Sequence, residues 1–298
     1  MNKVALVTGC SSGIGLATAI ELAKNGYITY ASLRDFADSK KLLPNSDKKD
    51  KVEAEALKAD VKVNIIQLDI SDDESVSKAF KQVMDEQGRI DVLVNNAGYG
   101  YFGSVESTSI DEFKEQFETD FYGAVRTIQN AIPIMREQKS IGHIINISSV
   151  AGFMGFPVVA AYVTCKFALE GLTESLRQEL YEKDPKKRTH VVLIEPGIVA
   201  TNFMANMKTA DRAYDIPQYK EIIENFGKYG MELMKNSMKP EKVAKKIIYV
   251  LQEEEPEPRY RIGYDADQWW SDKLASTPLE FEEIIRGIVS DMQTPQKM

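Results

Sequence analysis

The sequence is poor in the residues that build several common kinds of site. Of its 298 residues only two are cysteine, Cys10 and Cys165, and only two are histidine, His143 and His190. Two cysteines so far apart do not make a disulfide framework, which points to reduced thiols and a cytoplasmic protein. No zinc-type ligand set can be assembled from their spacing, so no metal is expected. Basic residues are also in deficit: 37 Lys and Arg face 45 Asp and Glu, a formal charge of -8. That balance argues against a nucleic-acid surface or an anionic membrane as the main partner. No apolar run approaches the length of a bilayer span, and Met1 leads at once into a strand-like run. Neither a transmembrane helix nor a signal peptide is therefore expected. Internal repeats, linkers and low-complexity blocks are missing too. The simplest account is a single domain over 1–298, with a C-terminal tail from 264 to 298.

What the chain does contain is an alternation of strand and helix patterns with glycines at the joints. Residues 3–7 read as a short buried strand, followed by Thr8-Gly9-Cys10-Ser11-Ser12-Gly13-Ile14-Gly15. An amphipathic helix with Leu16, Ile20, Leu22 and Ala23 then runs to Gly26. Strand, glycine turn and helix together make a phosphate cradle, because glycines allow close backbone approach and the N–H groups of the helix start can receive a pyrophosphate. The spacing is Gly-x-x-x-Gly-x-Gly, and the plainer alternative is a turn that only joins strand to helix. A second strand over 27–32 ends at Leu33-Arg34. An acidic residue there would bind both ribose hydroxyls; a cation, with Ser11 and Ser12, suggests the 2′-phosphate of NADP(H) instead. Asp35 offers a competing reading of Arg34, a surface ion pair.

Residues 36–60 are charged, with a turn signal at Pro44-Asn45-Ser46 and a solvated helix after it. A third strand over 61–68 would set Asp69 and Ile70 against an adenine, and Ser71 with Glu74 reads as a capping box for a helix to about Gln87. The fourth strand, 90–94, closes in Asn95-Asn96-Ala97-Gly98, where small residues would let a cofactor lie against the strand end. A second capping box, Ser109 with Glu112, opens a helical stretch through Met135 that carries Asp120. The fifth strand, 142–147, delivers Ser148-Ser149 to the carboxyl edge, where open parallel sheets bind ligands. Tyr162 and Lys166 follow at i and i+4 on one helix face, so the ammonium can favour ionisation of a phenol whose ordinary pKa is about 10. After a sixth strand, 191–194, and Pro196-Gly197, the segment 202–239 is rich in methionine and aromatics. Such residues make an adaptable apolar wall, read here as a substrate-binding lid; a pair of helices packed on the core is the alternative. A helix from Pro240 and a strand over 259–263 complete the pattern.

In this order the pieces resemble the short-chain dehydrogenase/reductase family. The resemblance rests on Thr8 to Gly15, Asn95 to Gly98, Ser149, Tyr162 with Lys166, and Pro196-Gly197 with Thr201, across roughly residues 3–201. The runs at 8–16 and 166–172, with Ala31-Ser32-Leu33-Arg34-Asp35, are most similar to the subgroup of estradiol 17-beta-dehydrogenase and photoreceptor retinol dehydrogenase. It implies an α/β fold: one Rossmann-type, doubly wound parallel sheet of about seven strands with helices on both faces. It also implies hydride transfer between a nicotinamide and a ketone or secondary alcohol, with a bulky, apolar small molecule as the expected substrate. NADP(H) is the expected cofactor and NAD(H) the alternative. By resemblance, Tyr162 exchanges the substrate proton, Ser149 holds the same oxygen, and Lys166 lowers the tyrosine pKa and binds the nicotinamide ribose. Gly9, Ser11, Ser12, Gly13, Ile14, Gly15, Asn96, Ala97 and Gly98 would line the cofactor, and Gly197, Val199 and Thr201 would fix its carboxamide. A homodimer or homotetramer is implied, assembled through the helices bearing Asp120 and Tyr162. The departure is Asp120 itself, where the family usually has asparagine. A carboxylate there could pair with Lys166 and partly cancel its field, giving an active enzyme with a shifted pH optimum. A reading from another class is an NADP(H)-binding sensor or scaffold with little turnover, which only Asp120 favours.

Overall fold

Short aliphatic runs that are buried along almost their whole length make strands covered on both faces. In the computed structural model of the protein, which describes residues 2–35, 48–138, 140–184 and 188–290, these runs form one parallel sheet with a less buried strand at each edge. Its strands are β1 (Val4–Val7), β2 (Ile28–Leu33), β3 (Asn64–Gln67), β4 (Val92–Asn95), β6 (Gly142–Ile147), β7 (Thr189–Pro196) and β9 (Arg259–Ile262). They lie in the order β3-β2-β1-β4-β6-β7-β9, with Ala5 opposite Thr29 on one side and Val92 on the other. A second parallel pair, β5 (Tyr101–Phe102) with β8 (Lys208–Thr209), was not visible in the sequence pattern.

Alternate residues of each strand face opposite layers. Ala5 and Val7 pack under α1 (Gly13–Lys24), α2 (Lys48–Lys58) and α9 (Pro240–Gln252), through Leu16, Leu22, Val52, Val243 and Ile247. Val4 and Leu6 pack under α3 (Asp73–Gln87), α5 (Gly123–Gln138) and α6 (Ala160–Glu179), through Val76, Phe80, Ile128, Met135 and Leu176. This is the doubly wound Rossmann-type arrangement, with a ligand edge at the carboxyl ends of β1, β4 and β6.

Three local readings need correction or refinement. Helix α3 is capped by Asp72, whose carboxylate accepts from the N–H groups of Glu74 and Ser75; Ser71 instead donates to Asp69. An aspartate one residue nearer the helix outcompetes the serine, and the expected Ser71–Glu74 box does not form. The box of Ser109 and Glu112 does form, opening α4 (Ile110–Phe117), but the stretch to Met135 is broken by a π-turn at Glu118–Tyr122. The turn at Pro44-Asn45-Ser46 lies outside the described residues, and the helix after it, α2, is solvated on one face only, since Val52 and Ala56 are buried. Beyond β9 the chain forms α10 (Tyr264–Ala275) and α11 (Pro278–Ser290). Trp269 of α10 is buried with Val150, Phe153 and Met154, and Phe281 of α11 packs against the same group.

Candidate active site

The glycine loop is shaped by contacts that leave no room for side chains. Gly9 and Gly13 have φ of 72° and 62°, a left-handed conformation that glycine adopts without strain. A Cβ on Gly9 would lie 2.7 Å from Ala97 Cα, one on Gly13 would lie 3.0 Å from Thr201 Cγ2, and one on Gly15 would lie 2.4 Å from the Gly9 carbonyl oxygen. The loop is therefore pressed between the end of β4 and the turn after β7. Ser12 precedes α1 in an extended conformation and makes no side-chain cap, so the helix start keeps N–H groups available to an anion. Asn96, expected to meet the cofactor, uses its amide to hold the loop: Nδ2 donates to the carbonyls of Thr8 at 2.9 Å and Gly9 at 3.2 Å. Thr8 Oγ1 in turn accepts from the N–H groups of Asn96 and Ala97.

Ser149 leaves β6 in extended conformation and its hydroxyl accepts from the Ala151 N–H at 3.2 Å, starting the single turn Val150–Gly152. The chain then enters α6 through Val158, a buried β-branched residue at φ 58°, held there by the Gly103 N–H to its carbonyl at 2.8 Å. Such a conformation stores roughly 1–3 kcal/mol and persists only where neighbours enforce it. On α6, Lys166 is buried; its Nζ donates to the Ile147 carbonyl at 3.0 Å and lies 5.5 Å from the centre of the Tyr162 ring. The helix is anchored beneath by a buried polar chain: Thr127 donates to Asn95, Asn95 to Asn146, Asn146 to Thr173, and Thr173 to the Leu169 carbonyl. Every link is satisfied, which fixes α5 and α6 against β4 and β6.

Asp120 sits in the π-turn, fully buried, and faces the same lysine. Its Oδ2 is 3.9 Å from Lys166 Nζ, and its Oδ1 accepts from the Tyr99 N–H at 3.1 Å. Burial raises the Asp120 carboxyl to about 6, against the pull of the Lys166 charge and the Tyr99 N–H. The Tyr162 phenol is also raised by burial and pushed further by Asp120, while Lys166 and a hydrogen bond with Ser149 draw it back. At neutral pH such a phenol carries its proton, with an ammonium beside it to steady the anion that proton loss would leave.

One cleft of about 360 Å³ contains Gly9, Ser11, Ser12, Gly13, Ile14, Asn96, Ala97, Gly98, Asp120, Ser149, Tyr162, Lys166, Gly197, Val199 and Thr201. Its far wall is apolar: Phe156, Val159, Phe203, Met204, Met207, Phe226, Leu233 and Trp269. The ring of Phe203, on α7 (Phe203–Asn206), lies 5.1 Å from that of Tyr162. Phe226 and Leu233 come from α8 (Lys220–Lys235). Gly15 shapes the loop from behind and does not line the cleft. Arg34, Asp69 and Ile70 also lie outside the lining. Arg34 is 3.2 Å from Asp35, which also takes Lys48 at 2.5 Å; Asp69 accepts from Ser71; Ile70 packs behind Gly123. Sequence reasoning missed Lys48, because its meeting with Asp35 spans a segment without periodicity, and Trp269, because no pattern ties α10 to the cleft. A second groove of about 490 Å³ between α6 and β9, lined by Glu174, Arg177 and Arg259, holds none of the expected residues.

A loop whose crowding admits only glycine, an uncapped helix start and a cleft leading to a half-buried serine and tyrosine and a buried lysine fit a nicotinamide dinucleotide, and with the sheet order they define an oxidoreductase of Rossmann type. Residues 3–212 match the sequence profile of the family described as short chain dehydrogenase, and the chain belongs to that family. It is 32% identical to a 3-ketodihydrosphingosine reductase of Bacteroides thetaiotaomicron over 88% of both chains. It is 33% identical to retinol dehydrogenase 8 of Bos taurus, over 88% of this chain and 81% of that one. Among solved structures it resembles an alcohol dehydrogenase from Thermococcus sibiricus complexed with 5-hydroxy-NADP, with a TM-score of 0.66, 27% identity, and coverage of 88% of this chain and 96% of that one. Among the described residues no helix is long and apolar enough to cross a membrane.

Proposed function

We propose that the protein interconverts ketones and secondary alcohols with NADP(H), on substrates that are bulky and mostly apolar. The observation that carries the reading is the convergence of Ser149, Tyr162 and Lys166 in the same cleft as the glycine loop, beneath an apolar wall. When bound, the cofactor supplies or accepts the hydride; the protein supplies position and proton. In reduction the Tyr162 hydroxyl gives its proton to the substrate carbonyl oxygen, and in oxidation the phenolate takes it back. The Ser149 hydroxyl donates a hydrogen bond to the same oxygen and holds it for transfer. Lys166, fixed by the Ile147 carbonyl, stabilises the phenolate and reaches the ribose hydroxyls. Gly197, Val199 and Thr201 offer backbone and hydroxyl groups to the carboxamide.

Among the described residues, two cations, Arg34 and Lys48, share the single carboxylate of Asp35. Their surplus positive charge at the end of β2 supports a 2′-phosphate and so NADP(H), as does the NADP derivative named for the archaeal structure. The competing preference for NAD(H) is favoured by the exposure of Arg34, whose side chain is 71% accessible and already paired. The named substrates of the two relatives, a sphingoid ketone and retinol, support the apolar class, as do the residues of 202–239 along the cleft wall. We read that segment as the substrate lid of a single domain, and expect a homodimer or homotetramer by sedimentation. The test is a screen of lipid-like, steroid and retinoid ketones and alcohols with NADPH, NADH and their oxidised forms, followed by cofactor absorbance. Turnover with NADPH, and a smaller NADPH preference in Arg34→Ala and Lys48→Ala, are expected. Tight cofactor binding with no turnover across these classes would favour a sensor, and an unchanged cofactor ratio would refute the role of the two cations.

A further inference from the structure

The turn after β7 is fastened from outside the family-matched region. The Gly197 N–H donates to the Ile262 carbonyl at 2.9 Å, and the Ile198 carbonyl accepts from the Met238 N–H at 3.0 Å. The Ile198 N–H, however, has a side-chain partner: it donates to Asp265 Oδ2 at 2.6 Å. Asp265 stands in the first turn of α10, and two glycines make the slot that its carboxylate fills. A Cβ on Gly197 would lie 2.2 Å from Asp265 Oδ1, and one on Gly263 would lie 2.4 Å from the same oxygen. Gly263 has φ 120°, a conformation open to glycine, which turns the chain sharply from β9 into α10. Chance packing does not account for this: neither glycine tolerates a side chain, and one charged acceptor meets one backbone donor.

An acidic residue early in a helix has an ordinary explanation, the favourable field of the helix N-terminus. Asp267 already answers to it from the same first turn, where it is exposed. Asp265 does something else. The turn it grips continues into Val199 and Thr201, and Thr201 Cγ2 is the atom that confines Gly13 in the glycine loop. One helix turn further on, Trp269 lines the cleft. The place where Asp265 acts is therefore the stretch of backbone between the pyrophosphate cradle and the substrate wall.

We propose that Asp265 is a positioning residue for the nicotinamide half of the cofactor, holding the Gly197–Thr201 turn in place through the Ile198 N–H. The proposal rests on the cofactor reading above. It predicts an effect split along the dinucleotide: the adenosine half, expected beside Arg34 at the end of β2, does not depend on this turn. Calorimetric titration of the full-length protein with NADPH and with adenosine 2′,5′-bisphosphate reads that split. A charged hydrogen bond of this kind accounts for roughly a ten- to hundredfold loss of affinity, so Asp265→Ala should weaken NADPH by about that factor and adenosine 2′,5′-bisphosphate by less than about twofold. Asp265→Asn keeps an acceptor oxygen and should recover part of the loss; it also decides the matter if the alanine variant does not fold. Asp267→Ala should bind both ligands as the parent does. Unchanged NADPH affinity in the folded variants, or an equal loss for both ligands, would overturn the proposal. If the parent protein binds neither ligand, the cofactor reading itself fails and the proposal with it.

Discussion

Replacing Asp120 by asparagine probes the site where this chain departs from the usual family pattern. The carboxylate Oδ2 is 3.9 Å from Lys166 Nζ, and that nitrogen is 5.5 Å from the Tyr162 ring centre, so the carboxylate lies within about 10 Å of the ring centre. At an effective dielectric near 20, two unit charges about 7–9 Å apart interact by about 2 kcal/mol. That corresponds to about one to two pH units on the Tyr162 equilibrium. Asparagine keeps an acceptor for the Tyr99 N–H and loses the charge, so the Lys166 field acts on the phenol unopposed and the Tyr162 pKa falls. Alcohol oxidation needs the phenolate, and its rising limb in kcat/KM should move about one to two units toward lower pH. Ketone reduction needs the phenol, and its falling limb should move the same way. Stability gives an independent reading. A carboxyl raised to about 6 in the folded protein binds a proton that the unfolded chain has released, so its contribution is complete below about pH 4 and is lost as the pH rises through 6. Relative to the parent, Asp120→Asn should therefore gain stability between acid and alkaline pH, by up to about 3 kcal/mol in urea unfolding. Coincident limbs and an unchanged pH dependence of unfolding would refute the electrostatic argument.

The same geometry yields further outcomes. Asn146→Ala strips the buried chain between Asn95 and Thr173 of both its links, and should cost about 2–4 kcal/mol in urea unfolding. Glu170 is raised by burial and by neighbouring Glu195, despite Arg259 at 3.3 Å. Its favourable contribution is lost as the pH rises through its folded pKa, so Glu170→Gln should raise Tm at alkaline pH and leave it nearly unchanged in acid. Gly13→Ala meets Thr201 and a left-handed backbone at once; it should cost about 1–2 kcal/mol of stability and weaken calorimetric NADPH binding at least about tenfold.

The fold and the outline of the site were readable because their signals are local. Strand runs such as Val4–Val7, the glycines at 9, 13 and 15, and the i, i+4 pair of Tyr162 and Lys166 declare themselves within a few residues. What escaped depends on long-range meetings or on competition between neighbours. Asp72 displaced Ser71 as a cap by one position, and the π-turn that aims Asp120 at Lys166 has no signature distinct from an ordinary helix. Asn96 lines the cleft, and its second task, holding the glycine loop through its amide, leaves no mark in the sequence. Asp265 and Trp269 lie in a stretch whose sequence gives no hint that it folds back onto the turn after β7.

The central claim is that Tyr162 exchanges the substrate proton in an otherwise intact cofactor site. Tyr162→Phe removes one oxygen from a half-buried ring and leaves the glycine loop, Lys166 and Ser149 in place. Single-turnover hydride transfer, measured on a substrate found in the screen with NADPH binding checked by calorimetry, should slow by about a hundred- to ten-thousandfold at unchanged NADPH affinity. Hydride transfer at the parent rate in a Tyr162→Phe protein that binds NADPH normally would contradict the account.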